Sequence, residues 1–121
     1  MEKFRTVNEL NDLDENLSVL MSVPSYKIGA YTFDVAKRLL YLNGESVKLT
    51  KKESYLLVFL ASNVGKSLIR KEILTAIWKE DTYTNSRSMD VYICKIRKLL
   101  SKDSNILIVN IHGRGFRIVI D

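Results

Sequence analysis

Cysteine, histidine and proline each occur once in the 121 residues, and this scarcity excludes several classes of protein. A single cysteine, Cys94, cannot form a disulfide within the chain, and residues 1–17 lack the apolar region of a secretory signal, so we expect a reducing cytoplasm. One histidine and one cysteine are too few for the usual zinc sites, so we expect no metal and no cofactor. No apolar run approaches the roughly 18 residues of a membrane span, and we expect no membrane partner.

The motifs of the common catalytic classes are also missing. The sequence has no GxxxxGK[ST] phosphate loop, no GxSxG nucleophile elbow and no HExxH metal pair. His112 is the one imidazole available as a general base, and it lies in a predicted hairpin tip, where a histidine is usually just solvated. Cys94 beside Lys95 could be a reactive thiol, but an ordinary small side chain on a helix is the simpler interpretation. The sequence therefore predicts a protein that is not an enzyme.

Charge is distributed unevenly along the chain. Residues 1–25 hold two Lys/Arg against five Asp/Glu, whereas residues 26–121 hold seventeen against nine. The part of the chain with the patterns of a folded domain therefore carries the positive charge. Such an excess is typical of proteins that bind nucleic acid or other anionic surfaces. Many basic proteins bind neither, so charge alone leaves the partner open.

Short extended segments precede the helices. β-Branched and aromatic residues predict four strands, at residues 26–29, 31–35, 38–42 and 46–49. Asn43-Gly44 lies between the last two strands, and this pair favours a type I′ hairpin turn because both residues tolerate positive φ. The domain is therefore predicted to begin with a small antiparallel sheet.

Two helices are predicted to follow this sheet. Thr50 and Glu53 have the spacing of a capping box at the start of the first helix, and Gly65 suits its C-terminal cap. The second helix is predicted over residues 69–78. Its apolar side carries Ile69, Ile73, Leu74, Ile77 and Trp78.

A third helix, predicted over residues 85–100, has two different faces. Asn85 or Ser86 suits its N-cap. At the helical period its apolar stripe consists of Met89, Ile93, Ile96 and Leu100. The opposite side carries Arg87, Val91, Cys94, Lys95 and Lys98. Such a helix can rest on a core and present its basic side to a polyanion, so we hypothesise that it enters the DNA major groove, which is about 12 Å wide.

The chain ends in a predicted hairpin. Strands at residues 106–111 and 116–120 flank His112-Gly113-Arg114-Gly115, whose glycines permit positive φ. Arg114 lies at the tip of this hairpin, and a narrow minor groove attracts an arginine. The helix and the hairpin can therefore contact adjacent grooves of one duplex. The same lysines and arginines fit equally well a basic surface that contacts only solvent.

Residues 1–25 are acidic and polar, with leucines and a valine at helix-like steps of three and four: Val7, Leu10, Leu13, Leu17 and Leu20. This spacing allows a short amphipathic helix that ends before Pro24. A linker or the fringe of a neighbouring domain is the favoured interpretation. A self-association helix is the remaining alternative, although two or three turns are too short to be stable alone.

Four blocks of sequence occur in one order: LTKKESYLLVFLASNVGK (49–66), RKEILTAIW (70–78), RSMDVYICKIRKLL (87–100) and VNIHGRGFRI (109–118). With them the chain resembles, from about Tyr26 to Val119, the effector domain of OmpR/PhoB-type response regulators. The resemblance implies an α+β winged helix-turn-helix over residues 26–121, with a four-stranded antiparallel sheet, a three-helix bundle and a C-terminal β-hairpin wing. It implies a sequence-specific DNA-binding regulator of transcription, the output domain of a two-component system.

Carried over by position, the resemblance implies DNA contacts from the third helix by Arg87, Tyr92, Cys94, Lys95 and Arg97. It implies phosphate contacts by Trp78 and by Asn110, the latter at a place where threonine is usual, and it puts Phe116 where the family has Tyr or Phe. The helical pattern adds Lys98 as a further cation for the phosphates, with Val91 near enough to touch a thymine methyl.

The resemblance implies partners as well. One segment matches the part of the family that contacts RNA polymerase: Lys79, Glu80, Asp81, Thr82, Tyr83 and Thr84. Two copies are expected to bind a direct repeat in double-stranded DNA as a head-to-tail homodimer, with about 10–10.5 bp between half-site centres. A sensor kinase is expected to act only through a receiver domain, which needs about another hundred residues. Residues 1–25 are too few for such a domain, and they are expected to be a linker or a receiver-domain remnant.

Three positions depart from the family pattern. Cys94 stands where a basic or polar side chain is common, and Ile69 replaces the usual hydroxyl cap of the second helix. His112 stands in place of the usual minor-groove arginine, and Arg114, two residues on, is the substitute. Two alternatives stay open, namely a winged-helix module for an acidic protein partner and a stand-alone regulator without phosphorelay input.

Overall fold

The structure, a computed structural model, describes residues 15–121. Its helices are α1 (Glu15–Met21), α2 (Lys51–Ala61), α3 (Arg70–Ile73, continued by the π-helical segment Leu74–Trp78) and α4 (Tyr83–Leu99). Its strands are β1 (Ser25–Ile28), β2 (Tyr31–Asp34), β3 (Leu39–Leu42), β4 (Glu45–Lys48), β5 (Leu68–Ile69), β6 (Ile106–Ile111) and β7 (Gly115–Ile120). The predicted α+β order of sheet, three-helix bundle and C-terminal hairpin is confirmed.

The first sheet is antiparallel, in the order β1-β2-β3-β4. Asn43 and Gly44 have φ of 53° and 84°, which confirms the predicted hairpin turn between β3 and β4. Arg38, predicted to lie in the third strand, has φ of 55° and lies in the turn before it. The four predicted strands are therefore all present, each with bounds that differ by about one residue.

One hydrophobic core joins the first sheet, the helices and the C-terminal hairpin. The apolar stripe predicted on the third helix is fully buried in it, with Met89, Ile93, Ile96 and Leu100 all at 3% exposure or less. Phe33 of β2, Leu56 of α2 and Ile118 of β7 are equally buried. None of the helices in residues 15–121 is long and apolar enough to cross a lipid bilayer.

The capping box at the start of α2 is confirmed. The Glu53 amide donates to Thr50 Oγ1 at 3.2 Å, and the Thr50 amide donates to Glu53 Oε1 at 2.8 Å. The prediction that Gly65 caps the other end is wrong, because Ser62 is the C-cap. Gly65 lies three residues further on, with φ of 82°, and its amide donates to the Ile118 carbonyl at 2.8 Å. It therefore ties the loop after α2 to β7.

The second sheet has three strands, in the order β5-β7-β6. The short strand β5 was not predicted, and the placement of Ile69 on the apolar side of the second helix is wrong. Ile69 pairs with Gly115 in this sheet and is 48% exposed. It is also the N-cap of α3, as the resemblance implies. It has no hydroxyl to accept from an amide of the first turn, but its own amide donates to Glu72 Oε1 at 3.1 Å, as the Thr50 amide does to Glu53.

The turn between β6 and β7 differs from the prediction in which residues need positive φ. His112 and Gly113 have φ of 42° and 74°, and the Arg114 amide donates to the Ile111 carbonyl at 2.7 Å. Gly115 does not have positive φ; it is required for a different reason. A Cβ at this position would lie 1.8 Å from the Leu68 carbonyl oxygen, so only glycine lets β5 approach β7.

Helix α4 begins earlier than predicted. Thr82, rather than Asn85 or Ser86, is the N-cap, and its Oγ1 accepts from the Asn85 amide at 3.1 Å. The Asn85 side chain instead donates to the Glu80 carbonyl at 3.1 Å, which fixes the connection before the helix. All three residue types suit an N-cap, and in the structure Thr82 has that role while Asn85 bonds to the connection.

The C-terminal end of α4 is attached to the first sheet. The Lys102 amide donates to the Tyr31 hydroxyl at 3.1 Å, and the Ala30 amide donates to Asp103 Oδ2 at 2.8 Å. Gly29 lies in the turn beside this carboxylate, with φ of 56°. The first sheet therefore fixes where α4 ends relative to the core.

Part of the acidic N-terminal segment is helical. Helix α1 buries Leu17 completely in the core, and the Tyr26 hydroxyl donates to the Leu20 carbonyl at 2.7 Å. Burial raises the pKa of Tyr26 above its usual value. The short-helix alternative thus holds for Glu15–Met21, whereas Val7, Leu10 and Leu13 lie outside the described residues. The interpretation of residues 1–25 as a linker or receiver remnant stays a prediction.

Replacement of Gly115 should destabilise the domain more than replacement of Gly113. We expect G115A to lower the free energy of unfolding by about 3 kcal/mol or more, because the new Cβ forces β5 away from β7. G113A meets open space and should cost only about 1 kcal/mol for its positive φ. Urea denaturation followed by circular dichroism measures both, and equal losses would contradict this role of Gly115.

Candidate nucleic-acid interface

The side of α4 away from the core is exposed and basic. Val91 is 55% exposed at the centre of this surface. The four other residues predicted there are also exposed: Arg87, Cys94, Lys95 and Lys98. The structure therefore brings these five predicted site residues together on one surface, which we call the α4 face. Of the other predicted residues of this helix, Tyr92 and Arg97 are half-buried at its flanks.

Asp90 is the one acidic residue in α4, and an arginine outside the helix pairs with it. Arg70 Nη1 donates to Asp90 Oδ1 at 2.8 Å. Its Nη2 donates to the Ser86 carbonyl at 3.1 Å and also to the Ser86 hydroxyl. The pairing offsets the negative charge that would oppose an anionic ligand at the α4 face.

Arg70 also reaches the hairpin. Its guanidinium carbon lies 5.7 Å from the centre of the Phe116 ring, and its amide donates to the Arg114 carbonyl at 2.9 Å. Phe116, predicted to contact DNA, is only 4% exposed, so the structure gives its ring a packing role and that contact stays a prediction. Sequence reasoning missed Arg70. The one signal for it was the unpaired Asp90 in an otherwise basic helix.

Arg97 joins α4 to the hairpin on the other side. Its Nη2 and Nε donate to the Ile108 carbonyl at 2.8 and 3.3 Å, and Nη2 also lies 3.3 Å from Asn110 Oδ1. These donors cover part of the free edge of β6, which would otherwise offer unpaired backbone groups. The predicted DNA contacts of Arg97 and Asn110 stay predictions, and in this structure the two side chains hold the hairpin beside α4.

The hairpin tip presents polar side chains to solvent. Asn110, His112 and Arg114 are all exposed. A groove of about 530 Å³ separates the tip from α4, and its lining includes Cys94, Arg97, Asn110, His112 and Phe116. Five predicted residues therefore line this groove, with Phe116 buried, and Arg114 is exposed in the adjoining turn.

Two aromatic rings flank the α4 face at its other side. The rings of Trp78 and Tyr92 meet edge to face, with centroids 5.7 Å apart and an interplanar angle of 71°. Lys95 Nζ lies 4.8 Å from the centroid of the Tyr92 ring. The structure thus connects Trp78, at the end of the π-helical segment, to the lysine predicted to contact DNA.

The segment predicted to contact RNA polymerase is exposed along its whole length, from Lys79 through Glu80, Asp81 and Thr82 to Tyr83 and Thr84. Lys79, with φ of 71°, ends the π-helical segment. Tyr83 and Thr84 belong to the first turn of α4 rather than to the loop, and Tyr83 is 77% exposed. Arg87 Nη1 donates to the Tyr83 hydroxyl at 3.2 Å, so the segment adjoins the α4 face.

Metal binding finds no support in residues 15–121. No three side chains of His, Cys, Asp or Glu in this part of the chain are grouped so that they could hold a metal ion. Cys94 is a free, exposed thiol on the α4 face.

Sequence comparison assigns a family. The family model described as "Transcriptional regulatory protein, C terminal" matches residues 44–118. The transcriptional regulatory protein RprY of Bacteroides fragilis is 48% identical over 94 residues, which cover 78% of this chain and 40% of that protein. The chain thus spans about two-fifths of the length of this curated relative.

Solved structures share the fold. The DNA-binding domain of E. coli CadC is similar with a TM-score of 0.72 and 26% identity, over 82% of this chain and 94% of that chain. The DNA-binding domain of Klebsiella pneumoniae RstA, solved in complex with the RstA box, has a TM-score of 0.67 and 26% identity, over 80% of this chain and 98% of that chain.

Removal of the Arg97 side chain should loosen the hairpin. We expect R97A to lower the free energy of unfolding by about 1 kcal/mol and to speed amide exchange in β6, because the Ile108 carbonyl loses its charged donors. R97K keeps the charge without the planar fork and should not restore protection. K98A, at the exposed neighbour, is the control. Hydrogen exchange mass spectrometry measures this, and β6 protection unchanged in R97A would contradict the holding role.

Proposed function

The chain belongs to the family of C-terminal domains of transcriptional regulatory proteins, and on this premise we propose that it binds double-stranded DNA sequence-specifically. In the cell it acts as the output domain of a two-component response regulator and controls transcription. This is a family of regulators and not of enzymes. The observation that carries the proposal is the α4 face, a basic surface on a helix whose one acidic residue is paired with Arg70.

Helix α4 would enter the major groove with the α4 face towards the bases. Arg87, Lys95 and Lys98 lie where a helix in the groove meets phosphates and base edges, and their charges attract the DNA backbone. Val91 and Cys94 lie between them and offer small apolar surfaces to a thymine methyl. The centre of the face therefore favours A·T pairs over G·C pairs, because its two side chains can touch a thymine methyl but cannot make a bidentate contact to guanine.

The hairpin would act as the wing. Arg114 is the exposed arginine at its tip and is suited to a narrow minor groove, with His112 beside it. Arg70 and Arg97 fix this tip relative to α4 through Phe116 and the Ile108 carbonyl. Because the two arginines hold the wing beside α4, the positions of helix and wing in their two grooves depend on each other. This arrangement supports reading by the pair rather than by the helix alone.

Further partners belong to the same proposal. Two copies bind a direct repeat head to tail as a homodimer. The segment Lys79–Thr84 contacts RNA polymerase, and the exposure of all six of its residues is compatible with such a contact. Trp78 and Asn110 contact phosphates. A sensor kinase acts through a receiver domain, in line with the greater length of the curated relative.

Selection from a pool of random duplexes tests sequence-specific binding. We expect one half-site, or a direct repeat of it, to be enriched. K95A and R114A should each weaken binding to the selected duplex by about 1–3 kcal/mol if they read bases. K27A, at an exposed lysine in the first sheet, should bind like the wild type.

Two outcomes would count against this function. Wild-type affinity of both K95A and R114A at moderate salt would show that the assignment of grooves is wrong. A pool with no enriched sequence would favour the alternative of an acidic protein partner, since both kinds of binding depend on salt but only DNA reading selects a sequence.

A further inference from the structure

Lys52, in the first turn of α2, lies against the aromatic pair beside the α4 face. Its Nζ is 5.2 Å from the centroid of the Trp78 ring. Trp78 meets Tyr92, and Lys95 Nζ lies over the other ring. We call Lys52, Trp78, Tyr92 and Lys95 the cation–aromatic row. It connects three consecutive helices, α2, α3 and α4, and it extends the basic surface from α4 to α2.

Neither lysine of this row is paired with a carboxylate in the described part of the chain. The ion pairs found among residues 15–121 join Arg70 to Asp90 and Lys102 to Glu45, and neither includes Lys52 or Lys95. A neutral aromatic ring holds an ammonium group in place without neutralising it, in contrast to a carboxylate. The N–H groups that point away from the rings remain available to an anion. The row is therefore suited to hold an anion rather than to pair internally.

A DNA phosphate is the anion that this position favours. Lys95 belongs to the α4 face, so the backbone of a duplex bound there would pass along the row at the edge of the groove. The Trp78 indole is half-buried, and its ring nitrogen can only donate hydrogen bonds. Two ammonium groups and an indole N–H offer only donors, and this set suits the acceptor oxygens of a phosphodiester.

We propose that Lys52 is a further DNA-binding residue and that it forms, with Trp78, Tyr92 and Lys95, a clamp for the phosphate backbone at one side of the α4 face. The proposal rests on the proposed DNA binding and adds α2 to the interface. Phosphate contacts carry no sequence information, so Lys52 should strengthen binding to every duplex by the same factor. Its removal should leave the preference between sequences unchanged.

The test compares K52A with K51A, at the exposed lysine one residue earlier in the same helix turn. The affinity of the full chain for the selected duplex and for a scrambled duplex is measured over a series of salt concentrations. We expect K52A to reduce the slope of log affinity against log salt by about one on both duplexes, because each phosphate that a lysine neutralises adds about one to this slope. K52R should keep the slope, and K51A should match the wild type.

Trp78 is the only tryptophan of the chain and gives a second readout. Its fluorescence should change when the wild type binds either duplex, because the clamp brings a phosphate to the indole. The fluorescence change should be smaller in K52A. The emission spectrum without DNA and the thermal midpoint show whether K52A is folded.

The failures of the two proposals are distinguishable. If K51A behaves like the wild type and K52A has the same salt slope as K51A, the clamp is overturned and the proposed function still stands. An equal reduction of the slope in both variants would also overturn it, since that result shows general attraction by charge. A wild type that binds no duplex at all would overturn the proposed function itself.

Discussion

The contacts of one guanidinium with two elements outside its own helix determine how the site is assembled. Arg70 is the first residue of α3, yet it bonds to Asp90 and Ser86 of α4 and lies over Phe116 of β7. A helix, a second helix and a hairpin are thus oriented by one planar group whose donors are fixed relative to each other. Arg97 adds the opposite support from α4 to β6. The angle between helix and hairpin therefore depends on side-chain geometry as well as on core packing.

The cations of the site fall into two groups with different partners. The arginines at the base of the groove are occupied by the protein itself, Arg70 by Asp90 and Arg97 by the Ile108 carbonyl. The lysines of the cation–aromatic row, Lys52 and Lys95, lie on aromatic rings and have no carboxylate partner among the described residues. Rigidity and attraction for an anion are therefore supplied by different residues. This division lets a helix of modest charge be the centre of the proposed DNA interface.

Features that depend on neighbours in sequence were predictable, and features that depend on distant pairing were not. The Asn43-Gly44 turn, the Thr50 capping box and the buried stripe of α4 follow from local spacing, and the structure has all three. Strand β5 is two residues long and exists because Leu68 pairs with Phe116, nearly fifty residues away. The role of Gly115 also depends on this distant pairing. The sequence around it predicts a turn glycine, because nothing nearby in sequence shows that the Leu68 carbonyl approaches it. The members of the α4 face were predictable from helical period, whereas their supports were not.

The π-helical segment Leu74–Trp78 gives the interface a dependence on chain length. A π-helical turn bonds each residue to the fifth along the chain instead of the fourth, so it accommodates one residue more than an α-helix of the same extent. Deletion of a single residue inside this segment would restore the regular α-helix and leave the Trp78 ring at nearly the same angle around the helix axis, because the extra residue lies within the π-helical turn. Deletion of a residue in the α-helical part, Arg70–Ile73, would instead turn the ring by about 100° and remove it from Tyr92. In relatives of this chain, the aromatic contact should therefore tolerate the loss of one residue within the π-helical segment but not in the turn before it.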